Sequence, residues 1–131
     1  TLVRDFDRVR ANLDSRREQL VDARPAPRFR GELPEPRPGL AAGHIPGAVN
    51  LPFGDLVDEA TKTMLPPDAL RERFATAGID LGRPITVSCG SGVTACWVAL
   101  GLHQAGAREV AVYDGSWVDW GSRPDAPVEV G

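Results

Sequence analysis

The sequence PITVSCGSGVTACWVALGLHQAG, residues 84–106, places a cysteine between a β-branched run and a long apolar segment. Residues 84–88 predict a strand that is buried on both faces, as in a parallel sheet. The segment that starts at Thr94 predicts a helix that is apolar on most sides and is therefore expected to be buried. Cys96 lies inside that helix and is predicted to belong to the core, whereas Cys89 is the first residue after the strand.

The rest of the chain repeats this alternation of strands and helices. Asp5 is predicted to cap a helix that has Phe6, Val9 and Leu13 on one face. Residues 25–43 are rich in proline and glycine and predict a long irregular loop. The remaining predicted elements are strands at residues 19–24, 48–53 and 109–114, a helix at 66–78 and a short turn or helix at 116–120. This order predicts an α/β fold with a central, mainly parallel sheet and helices on both faces.

The composition is that of one globular domain without a basic surface. The chain has 131 residues, a net charge of −3 and a pI near 5.3, so it lacks the excess of lysine and arginine that nucleic-acid binding needs. No apolar run reaches the ~18 residues of a membrane-spanning helix. Neither a nucleic acid nor a membrane is therefore an expected partner. The start, TLVRDFDRVR, has no initiator methionine and no signal-peptide core, which predicts a chain that was cut from a longer one or processed.

The two cysteines and two histidines do not form a metal-binding pattern. Cys89 and Cys96 are seven residues apart, which matches neither CxxC nor a zinc-ligand spacing. No metal ion and no cofactor is predicted. Both cysteines are expected to be thiols in a reducing compartment, the cytoplasm.

Cys89 is predicted to be a nucleophile because of its place after a strand. Active sites in open α/β sheets gather beyond the carboxyl ends of the strands. Gly90 and Gly92 allow a tight loop whose amide N–H groups, together with the following helix N-terminus, form an anion-binding nest. Such a nest stabilises the thiolate, which is the reactive form of cysteine. The alternative is a buried structural cysteine, since cysteine is among the most buried residue types.

Three segments resemble, in the same order, motifs of the rhodanese superfamily. CGSGVT at residues 89–94 is similar to the active-site loop of its mercaptopyruvate sulfurtransferase branch. Residues 21–53 resemble the first half of that family's catalytic domain, and VYDGSWVDW at residues 112–120 resembles its closing signature. Asp119 departs from the family pattern, which usually has Glu at this place. The resemblance extends over residues 21–120, which is nearly the whole chain.

The resemblance implies that the chain is the C-terminal, catalytic domain of a tandem sulfurtransferase. Residues 19–131 would form this rhodanese catalytic domain, and residues 1–18 would be a linker-like helical segment before it. The N-terminal rhodanese-like domain of the tandem enzymes, which lends an Asp and a His to the cleft, would then be a missing partner.

The resemblance also implies a reaction. The Cys89 thiolate would attack the outer sulfur of a donor and become a persulfide, from which a thiol, thioredoxin or cyanide takes the sulfur. Ser91 would hydrogen-bond the donor or its leaving group, and the loop amides would hold the charge of the persulfide. The residues implied to contact the substrate are Arg28, Arg37, Gly90, Gly92, Val93 and Thr94.

The charge of the loop predicts which donor is used. The thiosulfate-using branch carries an Arg and a Lys where this chain has Gly90 and Ser91, so thiosulfate is expected to bind less well. Mercaptopyruvate has a single carboxylate, which suits the two parallel donors of a guanidinium. Arg28 and Arg37 match the family's two carboxylate-binding arginines in position and in their spacing of nine. The alternative is that Arg30 or Arg37 is a solvated loop charge.

Other residues in these motifs are interpreted as framework. A histidine near a cysteine can act as its base, but His44 in GHIPGA is expected to hold its loop beside the sheet. Asp22 and Arg24 are predicted to form an ion pair at a strand end. Trp117 is predicted to pack beside the active site, and Trp120 in the core.

Two other functions compete with sulfur transfer. A phosphatase or arsenate reductase would have a loop one residue longer that ends in an arginine, whereas position 95 is Ala and no Arg follows before Arg108. A persulfide carrier or a regulatory rhodanese-like domain with little turnover is the second alternative. Cys89, Ser91 and the arginine pair disfavour a purely regulatory role, and a carrier role stays open because it needs only the persulfide.

Overall fold

The structure is a computed structural model that describes residues 2–33, 35, 39–58, 60–89 and 93–131. Its centre is a five-stranded sheet in the order β1-β7-β6-β2-β3, in which every neighbouring pair is parallel. The sheet strands are β1 (Leu2–Arg4), β2 (Gln19–Asp22), β3 (Val49–Asn50), β6 (Ile85–Ser88) and β7 (Val110–Tyr113). A separate antiparallel hairpin consists of β4 (Val57–Asp58) and β5 (Thr63–Met64), which follow a 3₁₀ turn at Phe53–Leu56.

Helices cover both faces of the sheet, as the sequence predicts. The helices are α1 (Phe6–Ser15), α2 (Ala26–Phe29), α3 (Pro67–Thr76), α4 (Val93–Ala105) and α5 (Ser116–Trp120). On one face, Phe74 of α3 and Leu102 of α4 share a core with the sheet, and on the other face Val9 of α1 shares a core with Trp120 of α5. Because both faces are covered, β6 and β7 are buried at every residue. The α/β fold with a parallel sheet is confirmed.

The ends of the helices follow the predicted signals. Asp5 caps α1, and its carboxylate accepts a hydrogen bond from the Arg8 N–H at 2.9 Å. Gly78 and Gly106 follow α3 and α4 with φ of +84° and +97°, a conformation that glycine adopts without strain. The predicted irregular loop at residues 25–43 begins differently, because α2 occupies its first turn. Proline at the start of a helix is favourable, and this loop has prolines at positions 25 and 27.

The N-terminal segment belongs to the same fold as the rest of the chain. β1 pairs in parallel with β7, from Leu2 opposite Ala111 to Arg4 opposite Tyr113. Val9 on α1 is almost fully buried at 1% exposure. Residues 2–15 thus contribute a strand and a helix that pack with the central sheet, and the boundary between residues 18 and 19 stays a prediction. No helix in the described ranges has the length and apolar content to cross a bilayer.

The prediction that Cys96 belongs to the core is wrong. Cys96 is exposed, and Leu100, one helical turn later, is 46% exposed. The buried residues of α4 include Ala95 and Ala99, which directly precede the exposed Cys96 and Leu100. Successive residues on a helix are rotated by about 100°, so a shift of one position turns Cys96 away from the sheet.

Candidate active site

The candidate site lies where the central strands β2 and β6 end. The strands are in register up to Asp22 opposite Ser88, and the Ala23 N–H donates to the Ser88 carbonyl at 2.8 Å. Arg24 and Cys89 therefore leave the sheet at the same edge, beyond its carboxyl ends. This is the edge at which α/β sheets bind their ligands.

Hydrogen bonds hold Cys89 at both of its peptide groups and at its sulfur. Its N–H donates to the Ser116 Oγ at 3.1 Å, and its carbonyl accepts from the Trp117 N–H at 2.8 Å. Its Sγ accepts from the Ala95 N–H at 3.2 Å, and the residue is 1% exposed. Ala95 lies in the first turn of α4, where backbone N–H groups have no partner inside the helix. The helix N-terminus thus directs a donor at the sulfur, an arrangement that favours an anion there.

Several residues of the predicted site fall outside the described residues. Gly90, Ser91 and Gly92 lie outside the described residues, as does the side chain of Val93, whose backbone begins α4. Thr94 is half-buried in the first turn of this helix. The predicted strand, cysteine and helix are therefore in place, and the roles assigned to the loop residues stay predictions.

A chain of alternating charges runs from Asp22 to the loop after β2. Arg24 is 1% exposed, and its Nη2 lies 2.8 Å from the Asp22 carboxylate and 2.6 Å from the Gly43 carbonyl. Its Nη1 lies 3.3 Å from Glu35, whose side chain is also 1% exposed. Glu35 in turn accepts two hydrogen bonds from Arg28, at 3.2 and 2.8 Å. The predicted ion pair of Asp22 and Arg24 is thus the first link of a four-residue network.

Arg28 is the outer end of this network. Its side chain is 25% exposed, whereas the other three are almost completely buried. Its pKa is raised chiefly because Glu35 accepts its hydrogen bonds; burial opposes this, and the negative charges of Glu35, Asp22 and Cys89 add to it. The substrate-binding role of Arg28 stays a prediction. Arg37, its predicted partner, lies outside the described residues.

Arg30 differs from Arg28 although it is only two residues away. It pairs with Glu32, and both side chains are about half exposed, at 44% and 58%. The two arginines have different partners, which agrees with the rule that residues two apart on a helix do not share a face. Arg30 is therefore the solvated loop charge that the sequence left as an alternative.

Sequence reasoning missed two residues of the site, Glu35 and Ser116. Glu35 is an acidic residue between two prolines in an arginine-rich segment. This pattern could have suggested a buried carboxylate that orients an arginine. Ser116 is the serine of the closing signature, in which only the tryptophans were assigned. Trp117 is confirmed beside the site: Arg24 lies 4.4 Å from the centre of its ring, and its indole N–H donates to the Ala41 carbonyl at 2.9 Å.

His44 is engaged by groups other than the cysteine. Its Nδ1 lies 2.7 Å from the Phe29 carbonyl, and its Nε2 lies 3.2 Å from Glu129. Its ring stacks on Phe29 at 3.8 Å, and it is 3% exposed. These contacts fasten the loop after α2 to the C-terminal segment, which agrees with the structural role predicted from the sequence.

An apolar pocket of about 480 Å³ adjoins the start of α4. It is lined by Phe53, Thr94, Cys96, Trp97 and Leu100. The Trp97 indole N–H is buried with no hydrogen-bond partner among the described residues. Over the same ranges, no three His, Cys, Asp or Glu side chains are grouped so that they could hold a metal ion.

Comparisons with known proteins agree with this geometry. A family model described as the rhodanese-like domain matches residues 5–123. The chain is 46% identical over 128 residues to thiosulfate/3-mercaptopyruvate sulfurtransferase 1, mitochondrial, of Arabidopsis thaliana, covering 98% of this chain and 34% of that protein. It is 50% identical over 111 residues to the 3-mercaptopyruvate sulfurtransferase of Escherichia coli strain K12, covering 85% of this chain and 39% of that protein. The Tum1 protein from Saccharomyces cerevisiae superposes with a TM-score of 0.87 at 33% identity, over 98% of this chain and 46% of the other. The chain thus spans between a third and a half of the length of these relatives.

Proposed function

The chain belongs to the rhodanese-like domain family, and we propose that it transfers a sulfane sulfur from 3-mercaptopyruvate to a thiol acceptor through a persulfide on Cys89. The observation that carries this proposal is the environment of Cys89. It ends a central strand, and the Ala95 N–H donates to its sulfur at 3.2 Å. A helix N-terminus beside a thiol is the setting in which cysteine becomes nucleophilic.

Two displacements at sulfur make up the reaction. In the first, the Cys89 thiolate attacks the sulfur of mercaptopyruvate, so that an S–S bond forms and the C–S bond breaks. The electron pair of that bond stays on carbon, and the resulting enolate takes up the proton that the sulfur loses, which yields pyruvate. In the second, an acceptor thiolate attacks the outer sulfur of the persulfide and leaves as a persulfide itself, so that the Cys89 thiolate is restored.

Arg28 is the described residue best placed to bind the donor carboxylate. Its guanidinium is partly exposed and is held in place by Glu35, and the charge of Cys89 is among the causes that raise the pKa of Arg28. Arg37 is proposed as its partner, and Ser91 as the hydrogen-bond donor to the substrate or its leaving group. Gly90, Gly92, Val93 and Thr94 complete the proposed loop. The lack of a cation in residues 89–94 supports mercaptopyruvate over thiosulfate as the donor.

The proposed partners follow from the length of the relatives. The chain covers 34% and 39% of the two relatives described above, which supports a second domain, rhodanese-like and N-terminal to this one.

A small thiol, thioredoxin or cyanide is proposed as the acceptor. A reducing compartment such as the cytoplasm suits a persulfide cycle, because the nucleophile must return to the thiolate.

Single-turnover sulfur loading tests the proposal. We expect the protein to gain about 32 Da, one sulfur atom, on Cys89 when it is treated with mercaptopyruvate, and to gain it more slowly from thiosulfate. Cys89→Ser should abolish the gain. Cys96→Ser is the matched control, because it removes the other thiol, and it should load as fast as the parent.

Three outcomes separate the alternatives. A mass gain that peptide mapping places on Cys96 alone contradicts the assignment of the nucleophile. Faster loading from thiosulfate contradicts the proposed donor. Complete loading of Cys89 without turnover in the presence of a thiol or cyanide favours the persulfide carrier over the enzyme.

A further inference from the structure

Cys89 is held by a residue that lies 27 positions away along the chain. The Ser116 hydroxyl accepts the Cys89 N–H at 3.1 Å and donates to the Tyr113 carbonyl at 2.9 Å. Strands β6 and β7 are paired only as far as Val87 opposite Val112, so both contacts lie just beyond the end of the ladder. The hydroxyl therefore bridges the two strand ends at the point from which the active-site loop departs.

The backbone at Ser116 is in a conformation that serine rarely adopts. Its φ is +50°, in the left-handed region that side chains with a Cβ disfavour, and the residue is 0% exposed. Glycine would adopt this conformation without strain. The hydroxyl gives a reason for a serine at this strained position, because glycine could not make its two hydrogen bonds, to Cys89 and to Tyr113.

We propose that Ser116 is a positioning residue for the nucleophile: its hydroxyl fixes the Cys89 peptide so that Sγ meets the Ala95 N–H. This inference rests on the proposed role of Cys89. The donation to Tyr113 orients the hydroxyl hydrogen, which leaves a lone pair for the Cys89 N–H. The Trp117 N–H fixes the other side of the same residue through the Cys89 carbonyl at 2.8 Å. With both peptide groups fixed, the direction of the Cα–Cβ bond of Cys89 is set before a donor arrives.

Removing the hydroxyl deprives the buried Cys89 N–H of the acceptor at 3.1 Å. An unpaired buried donor is costly, so Cys89 is expected to rotate or shift toward another partner. Its sulfur then loses the aligned donor from Ala95, and the thiolate loses stabilisation relative to the thiol. Small displacements of a reacting group can slow a reaction by up to about a hundredfold.

Two variants of Ser116 separate the hydroxyl from the backbone strain. Ser116→Gly removes the hydroxyl and relieves the strain, whereas Ser116→Ala removes the hydroxyl and keeps the strain. Ser122→Ala is the matched control: the Ser122 hydroxyl also donates to a carbonyl three residues earlier, at 2.8 Å, and its contact is exposed. All variants are made with Cys96→Ser, so that Cys89 is the one thiol.

Iodoacetamide alkylation is measured at about pH 7 and at about pH 9.5, together with sulfur loading from mercaptopyruvate. We expect both Ser116 variants to load sulfur about tenfold to a hundredfold more slowly, with an unchanged KM for the donor. In the variants, alkylation should slow more at the lower pH than at the higher pH. A loss of thiolate stabilisation lowers the fraction of reactive thiolate only at a pH where the thiol is also populated. Ser122→Ala should match the parent in every measurement.

The proposal is overturned if Ser116→Gly loads sulfur as fast as the parent, or if its alkylation slows equally at both pH values. Loss of the native fold in both variants, seen by circular dichroism, overturns it as well and assigns Ser116 to the framework alone. Alkylation needs no sulfur donor. If the parent takes up no sulfur from mercaptopyruvate, the proposed function fails while the alkylation ratio still tests Ser116.

Discussion

The two ends of strand β6 both carry buried charges, but they are organised differently. At the amino end, the Thr86 hydroxyl donates to Glu18 at 2.7 Å, and Glu18 pairs with Arg4 at 2.9 Å. At the carboxyl end, beyond Cys89, two carboxylates and two guanidinium groups alternate from Asp22 to Arg28. The shortest contact of the first cluster joins two nearly buried side chains, Arg4 and Glu18, whereas the second cluster ends at a side chain that is 25% exposed.

The two ends of β6 are therefore expected to have different roles. The side chains of Arg4 and Glu18 are 9% and 12% exposed, and this pair fastens β1 to the start of β2. At the other end, Glu35 pairs with two arginines, and of the four described residues in this network Arg28 is the one with an appreciable exposed surface. The amino end is therefore expected to determine stability, and the carboxyl end to determine both stability and sulfur transfer.

The largest expected effect is on stability, at the carboxyl end. Arg24→Met leaves Asp22 and Glu35 buried without their shared cation, which for a buried ion pair costs about 3–5 kcal/mol. Arg4→Met, at the amino end, leaves Glu18 with the hydrogen bond from Thr86 and should cost about 1–2 kcal/mol. Urea unfolding of both variants measures the difference. Equal losses would show that the two clusters are energetically alike.

The fold could be predicted from sequence because its signals are local. A β-branched run, a capping Asp5 and glycines after two helices each determine the conformation of their own segment, and β6 and α1 formed as predicted. Burial on a helix is less local. α4 is apolar nearly all round, so its composition cannot tell which face meets the sheet, and Cys96 was assigned to the core although it is exposed.

The site was predictable where one motif contains both partners. Asp22 and Arg24 are two residues apart at a strand end, and the structure pairs them. Contacts that join distant segments were out of reach: Ser116 meets Cys89 only because β6 and β7 are neighbours. Glu35 was missed for a similar reason, since a proline-rich sequence has no hydrophobic period from which to infer a direction.

The next largest effect is expected on sulfur transfer from carboxylate-bearing donors. Arg28→Ala removes a charge-assisted contact worth about 1.5–3 kcal/mol, which corresponds to roughly a tenfold to hundredfold loss in kcat/KM for mercaptopyruvate. An uncharged donor such as an organic polysulfide should still load Cys89 at the rate of the parent. Single-turnover loading with both donors measures this contrast.

Arg30→Ala is the control, because Arg30 lies two residues from Arg28 and pairs with the exposed Glu32. It should keep the kcat/KM of the parent for both donors. The carboxylate role of Arg28 is refuted if Arg28→Ala uses mercaptopyruvate as well as the parent does. An equal loss with both donors would instead assign Arg28 to the charged framework around Glu35.

The smallest effect is a pH dependence of stability at the amino end. Burial alone would raise the pKa of Glu18, but the hydrogen bonds from Arg4 and Thr86 and the charges of Arg4 and Arg8 outweigh it, so the pKa is lowered. A carboxylate whose pKa is lower in the folded state stabilises the fold above its unfolded pKa, about 4.3, and loses that contribution as the pH falls through the folded value. Glu18→Gln should therefore cost about 1 kcal/mol at neutral pH and progressively less as the pH falls below about 4.

The matched control for this experiment is Glu109→Gln, because Glu109 also faces Arg4, at 3.9 Å, but its side chain is 45% exposed. Exposed pairs contribute little, so this variant should unfold like the parent at every pH. Both variants should load sulfur on Cys89 at the rate of the parent, since their site lies at the opposite end of β6. If Glu18→Gln loses the same stability at every pH, the charge of the carboxylate is not the cause of the loss. Slower sulfur loading in this variant would show that the two ends of β6 are coupled.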